Sequence, residues 1–132
     1  MSRTRYVFTL NLRDEPGIVE TYRRHHRDVW PEVQASLRRA GVEQMDIYLL
    51  GRRLMMVVEM RDGLDYRAAF ESHVSSSPRV AEWERLMTSL QEPVAEAHAD
   101  EWWAAMEPVF HLDRETAEET AIAHVADRPR TF

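Results

Sequence analysis

Two amphipathic stretches of this chain are each cut by a proline, Pro31 and Pro78, and short β-rich runs lie before, between and after them. A proline has no backbone N–H to donate and pushes the residue before it out of the helical region, so neither stretch can run on as one helix. Each must become a split pair. In the first, Ile18, Tyr22 and His26 recur at helical spacing, which predicts a helix from Ile18 to about Asp28. Pro31 opens a second segment with Val33, Leu37 and Ala40 on its inner face, and Gly41 ends it. In the second pair, a helix from Leu64 to Val74 stops at the serine cluster before Pro78. Ser77 is a good N-cap there and Pro78 a good first-turn residue for a helix whose apolar stripe is Val80, Trp83, Leu86, Met87 and Leu90.

The runs between read as strands. Alternation predicts strands over about Arg5 to Leu12, Met45 to Leu50 and Leu54 to Met60, the last two joined by a short hairpin at Gly51-Arg52-Arg53. Glu92 to Glu101 reads as a surface loop. A last short strand is expected from Met106 to Leu112, where Pro108 confines it to an edge, an end or a bulge. The order β, split α, β, β, split α, β predicts an α+β fold, a ferredoxin-like antiparallel sheet with helices on one face. The third strand is apolar on both sides, so a second subunit's sheet is expected to cover the other face, making a homodimer and a dimeric α+β barrel. The domain should occupy residues 1–113, with 114–132 a charged tail, partly helical or disordered.

Composition narrows what such a domain can do. A chain of 132 residues, 44% apolar, suits one domain with a real core. Its net charge of -6, with acids interleaved among the arginines, argues against nucleic acid as a partner. There is no cysteine, so disulfides, thiolate nucleophiles and thiolate metal sites are excluded, which fits a reducing cytoplasm. Met1-Ser-Arg-Thr-Arg-Tyr6 runs straight into the first strand without the apolar core of a secretory signal. No apolar run approaches the roughly 20 residues that span a bilayer. The histidines show no ligand-like clustering, so no metal is expected.

The stretch from Tyr22 to Glu32 carries most of the chemical information. Tyr22 and His26 lie four residues apart and so share one helix face. With an unperturbed pKa of about 6.5, a histidine there can give or take a proton near neutral pH, which makes His26 the proton-transfer candidate and Tyr22 its hydrogen-bond partner or complementary acid. Aromatic side chains cover the apolar patches of a sugar while a few polar groups fix its orientation. Trp30 and Trp83 are the candidates for such a wall, with Tyr48 and one of Trp102 or Trp103 as further candidates; Asp46 and Glu59 are candidate hydroxyl acceptors from the sheet. Each has a plainer reading. Trp83 belongs to a regular apolar stripe, Trp30 can simply pin the kink, Tyr22 can be a packed helix residue, and Glu32 suits a helix first turn.

Tyr22, His26, Trp30-Pro31-Glu32, the strand at Asp46-Ile-Tyr-Leu49, the helix at Trp83-Glu-Arg-Leu-Met87 and the closing Val109-Phe-His-Leu112 occur in one order. Over about residues 3 to 113 this order resembles the L-rhamnose mutarotase family, which also holds enzymes acting on L-fucose. The resemblance implies a dimeric α+β barrel, no cofactor, and interconversion of the α and β anomers of a 6-deoxy-L-hexose. It implies proton transfer at His26, not His25, with Tyr22 and Trp83 in the site. The chain departs from the rhamnose pattern at Arg27-Asp28, at Glu84 beside Trp83 and at the Glu101-Trp102-Trp103 loop. These departures resemble relatives of L-fucose pathways and place substrate choice on Glu84, Trp102 and Trp103. Two rivals share the scaffold: a cofactor-independent monooxygenase and a non-catalytic ligand-binding module.

Overall fold

The alternating run at the start of the chain forms β1 (Arg3–Leu12), the central strand of a mainly antiparallel sheet. The computed structural model describes residues 2–112 and 120–122. After β1 come α1 (Ile18–His26) and α2 (Pro31–Ala40), then the hairpin strands β2 (Val42–Leu50) and β3 (Arg53–Arg61). The second helical pair is α3 (Tyr66–Val74) and α4 (Pro78–Leu90), followed by the two-residue strands β4 (Gln91–Glu92) and β5 (Ala104–Ala105) and by β6 (Thr120–Ile122). One long edge of β1 pairs with β3 from Arg3↔Arg61 to Asn11↔Arg53.

Each proline break falls as the backbone rule requires. Trp30, forced extended at φ -56, ψ 134, is the N-cap of α2, with Pro31 as its first residue. Ser77 caps α4, its hydroxyl accepting from the Val80 N–H at 3.2 Å. Asp65 does the same for α3, accepting from the Arg67 N–H at 3.0 Å, so that helix starts two residues later than the apolar pattern suggested. Gly51 leads the two-residue β2–β3 connection at φ 61, the position a type II′ turn reserves for glycine.

The helices cover one face of the sheet. Phe8, Leu10 and Leu12 of β1 and Leu54, Met56, Val58 and Met60 of β3 are buried toward them. There they pack in two adjoining clusters with Tyr22, Val33, Val80, Trp83, Met87 and Leu90, and with Val42 and Tyr66. Fully burying side chains of this size stabilises by roughly 1.5–3 kcal/mol each. On the opposite face Tyr48, Leu50 and Met55 are exposed.

The closing strand is a correction. The second edge of β1 is met in three short pieces: β4 beside Asn11 and Leu12, β5 beside Phe8 and Thr9, and β6, parallel, beside Arg3 to Arg5. Residues 106–112 form no strand. The Met106 N–H still reaches the Val7 carbonyl at 2.8 Å, but Pro108 has no N–H to extend the ladder, and Val109, Phe110 and Leu112 are exposed. Within the tail, expected to be partly helical or disordered, Thr120–Ile122 form strand β6. Residues 113–119 and 123–132, where the rest of that expectation falls, lie outside the described residues. Among the described residues no helix is long and apolar enough to cross a membrane.

Candidate functional site

A cavity of about 920 Å³ opens between the helical layer and the sheet. Volumes of roughly 300–1,000 Å³ are usual for small-molecule sites. Its floor is apolar sheet, including Ile47, Leu54 and Met56; α1 brings Tyr22 and His26 to it, and α4 brings Trp83, Glu84 and Met87.

His26 sits in the last turn of α1, where its Nδ1 lies 3.0 Å from the carbonyl oxygen of Tyr22. A carbonyl only accepts, so Nδ1 must carry the proton and donate it. Nε2 then keeps its lone pair. The ring stacks on Tyr22, centroids 4.1 Å apart, and meets Trp83 edge-on at 5.5 Å. Burial pushes the imidazole below its ordinary pKa; the bond to Tyr22 opposes this and neighbouring His25 adds to it. Near neutral pH His26 is therefore an uncharged base.

Tyr22 is buried, and burial pushes its phenol well above the usual range; the Gln91 side chain acts against that rise and Glu84 adds to it. The phenol keeps its proton. Gln91 is itself buried, and its Oε1 accepts from the indole Nε1 of Trp102 at 2.9 Å. An indole N–H is only a donor, so the amide orientation is set and the Gln91 NH2 is left for the Tyr22 oxygen. Sequence reasoning missed Gln91. Its spacing from Glu84 and Met87, seven and four residues, continues one helix face and was the available signal. His73 of α3, buried and also at the cavity wall, was missed as well.

The expected site residues divide. Tyr22, His26, Trp83, Glu84 and Trp103 line the one cavity. Trp30 does not; it stands behind Trp83, edge-on at 5.0 Å, with the Arg79 guanidinium 3.5 Å above its ring. Trp102 does not line it either; its indole N–H is donated to Gln91. Asp46 and Tyr48 lie on the other face of the sheet, exposed, and Glu59 is engaged there with Arg3 and Arg5. A bulge between Val42 and Gln44 explains the facing of β2: beyond it Met45, Ile47 and Leu49 turn inward and their neighbours outward.

The chain matches the L-rhamnose mutarotase family over residues 5–112. It is 34% identical over 114 residues to an L-fucose mutarotase of Xanthomonas campestris pv. campestris, a match covering 85% of this chain and 90% of that protein. Among solved structures, an L-rhamnose mutarotase from Formosa agariphila aligns with a TM-score of 0.58 at 19% identity, covering 83% of this chain and 98% of the other. Tetracenomycin F2 cyclase from Streptomyces glaucescens, a type-II polyketide cyclase, aligns with a TM-score of 0.54 at 15% identity, covering 83% and 97%. At such identities these two structures speak for the fold alone, and their unlike names show how little a fold says about chemistry.

Proposed function

This chain belongs to the L-rhamnose mutarotase family, and from that premise we propose that it interconverts the α and β anomers of a 6-deoxy-L-hexose, L-fucose ahead of L-rhamnose. Mutarotation opens a cyclic hemiacetal, turns the aldehyde about C1–C2 and closes the ring on its other face. It needs a base for the proton of the anomeric hydroxyl and an acid for the ring oxygen. The observation that carries the reading is the state of His26. A neutral imidazole, its Nδ1–H anchored on Tyr22 O, keeps the Nε2 lone pair on a side chain of the cavity wall. Tyr22 directs a hydroxyl hydrogen bond, and Trp83 offers an aromatic surface to the sugar's apolar patch. The preference for L-fucose is supported by the Xanthomonas relative and by the departures at Arg27-Asp28, Glu84 and Trp102-Trp103. A second copy of the chain over the open sheet face completes the reading.

Saturation-transfer NMR on the anomeric protons of L-fucose and L-rhamnose tests it, with oxygen consumption on an electron-rich aromatic compound as the control for an oxygenase. The wild-type protein should accelerate exchange, faster with L-fucose, and consume no oxygen. His26→Gln should lose most of that acceleration, since a placed general acid or base is worth about 10²- to 10⁴-fold. Wild-type exchange rates from the variant would remove His26 from the reaction.

A further inference from the structure

The base assigned to His26 leaves the ring oxygen without a proton donor. Tyr22 is the obvious neighbour, but its phenol is buried and holds its proton too tightly to release it as the ring opens. Glu84 is different. It stands on α4 next to Trp83, lines the same cavity as His26 and Tyr22, and is close enough to Tyr22 for its charge to act on the phenol. It is half-buried, yet among the described residues it makes no hydrogen bond or ion pair. By contrast Glu59, the half-buried acid on the opposite face, is held by Arg3 at 2.9 Å and Arg5 at 3.3 Å. Arg23 and Arg27 of the same wall are engaged with Glu20, and a carboxyl left there with no ion pair among the described residues is poorly stabilised as an anion and well suited to hold a proton.

Resting on the mutarotase reading, we propose that Glu84 is the catalytic acid that complements His26, protonating the ring oxygen of the bound sugar from α4 while His26 acts from α1. In the opening step His26 Nε2 takes the proton of the anomeric O1–H. The O1 electron pair forms the C1=O1 bond, the C1–O5 bond breaks, and O5 takes the Glu84 proton to become the C5 hydroxyl. The aldehyde turns about C1–C2. For closure the Glu84 carboxylate removes the C5 hydroxyl proton, O5 attacks C1, and the imidazolium returns its proton to O1. Both groups end as they began, and no other reactant is consumed. Burial raises the Glu84 pKa, the direction that favours the protonated acid.

The test compares wild type, His26→Gln, Glu84→Gln and Glu84→Asp on L-fucose, with exchange read by saturation transfer and binding by titration of protein amide shifts. Glutamine keeps the size and polarity of the side chain but has no acidic proton to give. Glu84→Gln should lower kcat at least about 10-fold, keep Kd for L-fucose within about threefold, and be partly restored in Glu84→Asp. In the wild type the Glu84 carboxyl carbon should titrate above the ordinary glutamate range, a readout that needs no variant to fold. The acid role is overturned if Glu84→Gln exchanges at the wild-type rate, if its loss lies wholly in binding, or if that carbon titrates normally. A wild type that accelerates neither sugar would sink the mutarotase reading and the acid with it. An active wild type with an active Glu84→Gln sinks the acid alone.

Discussion

His26 and His73 reach the same tautomer by different routes. His26 donates from Nδ1 to the carbonyl of Tyr22. At His73, the Ser76 hydroxyl donates to the His73 carbonyl at 2.7 Å, so Ser76 Oγ must accept from Ser36 Oγ at 2.9 Å. Ser36 Oγ then accepts from His73 Nδ1 at 2.8 Å. Burial holds both imidazoles below their ordinary pKa, with His25 adding to the effect at His26 and Arg39 at His73. The unfolded chain therefore binds more protons than the native one below about pH 6.5. Stability from these groups is present above that pH and is lost as pH falls through their depressed native values. Glu84, raised by burial, works the other way: its contribution is full below about pH 4.5 and fades as pH rises. Urea midpoints between pH 5 and 7.5 should rise with pH, and more steeply in Glu84→Gln. A flat wild-type profile would contradict the burial of neutral histidines.

The elements were largely readable because proline and capping rules act locally. The break before Pro31, the Ser77 cap and the β2–β3 hairpin lie where the residue types require them. Gly41 shows how such a local feature joins the packing. It ends α2 in the left-handed region at φ 108, and an added Cβ would run into Leu64 Cδ1. A left-handed alanine costs about 1–2 kcal/mol and overpacking about 1–3 more, so Gly41→Ala should destabilise by at least about 2 kcal/mol. Chemical denaturation measures this directly: a loss of only about 1–2 kcal/mol would mean that Leu64 moves aside freely, and one under about 0.5 kcal/mol would contradict the backbone cost as well.

At the scale of the molecule, the helices pack one sheet face, while the other carries exposed apolar side chains among the described residues. Tyr48 is 56% exposed, Leu50 83% and Met55 36%, and in the segment after β5 Phe110 is 80% exposed. Arg3 and Arg5 with Glu43 and Glu59 form a charged border at one end of that face. Apolar surface rimmed by paired charge is the pattern of an interface, and a twofold copy is the simplest occupant. Sedimentation at micromolar concentration should find a dimer that Leu50→Glu weakens. A monomeric wild type would leave the face uncovered.

Much of the fold and part of the site could be read from residue order. Period and breakers act over a few residues, so they announced the split helices, the three long strands and the shared face of Tyr22 and His26. Long-range facts were hidden. A one-residue bulge in β2 turned Asp46 and Tyr48 away from the cavity, and Pro108 left residues 106–112 outside the sheet. Trp102 entered through Gln91, and Trp30 was placed behind Trp83. Local rules name which residues share a helix face or a strand. Which face meets the cavity, and whether Glu84 stands there with or without an ion pair, depends on contacts between segments far apart in the chain, and those exist only once the sheet and the helices have packed.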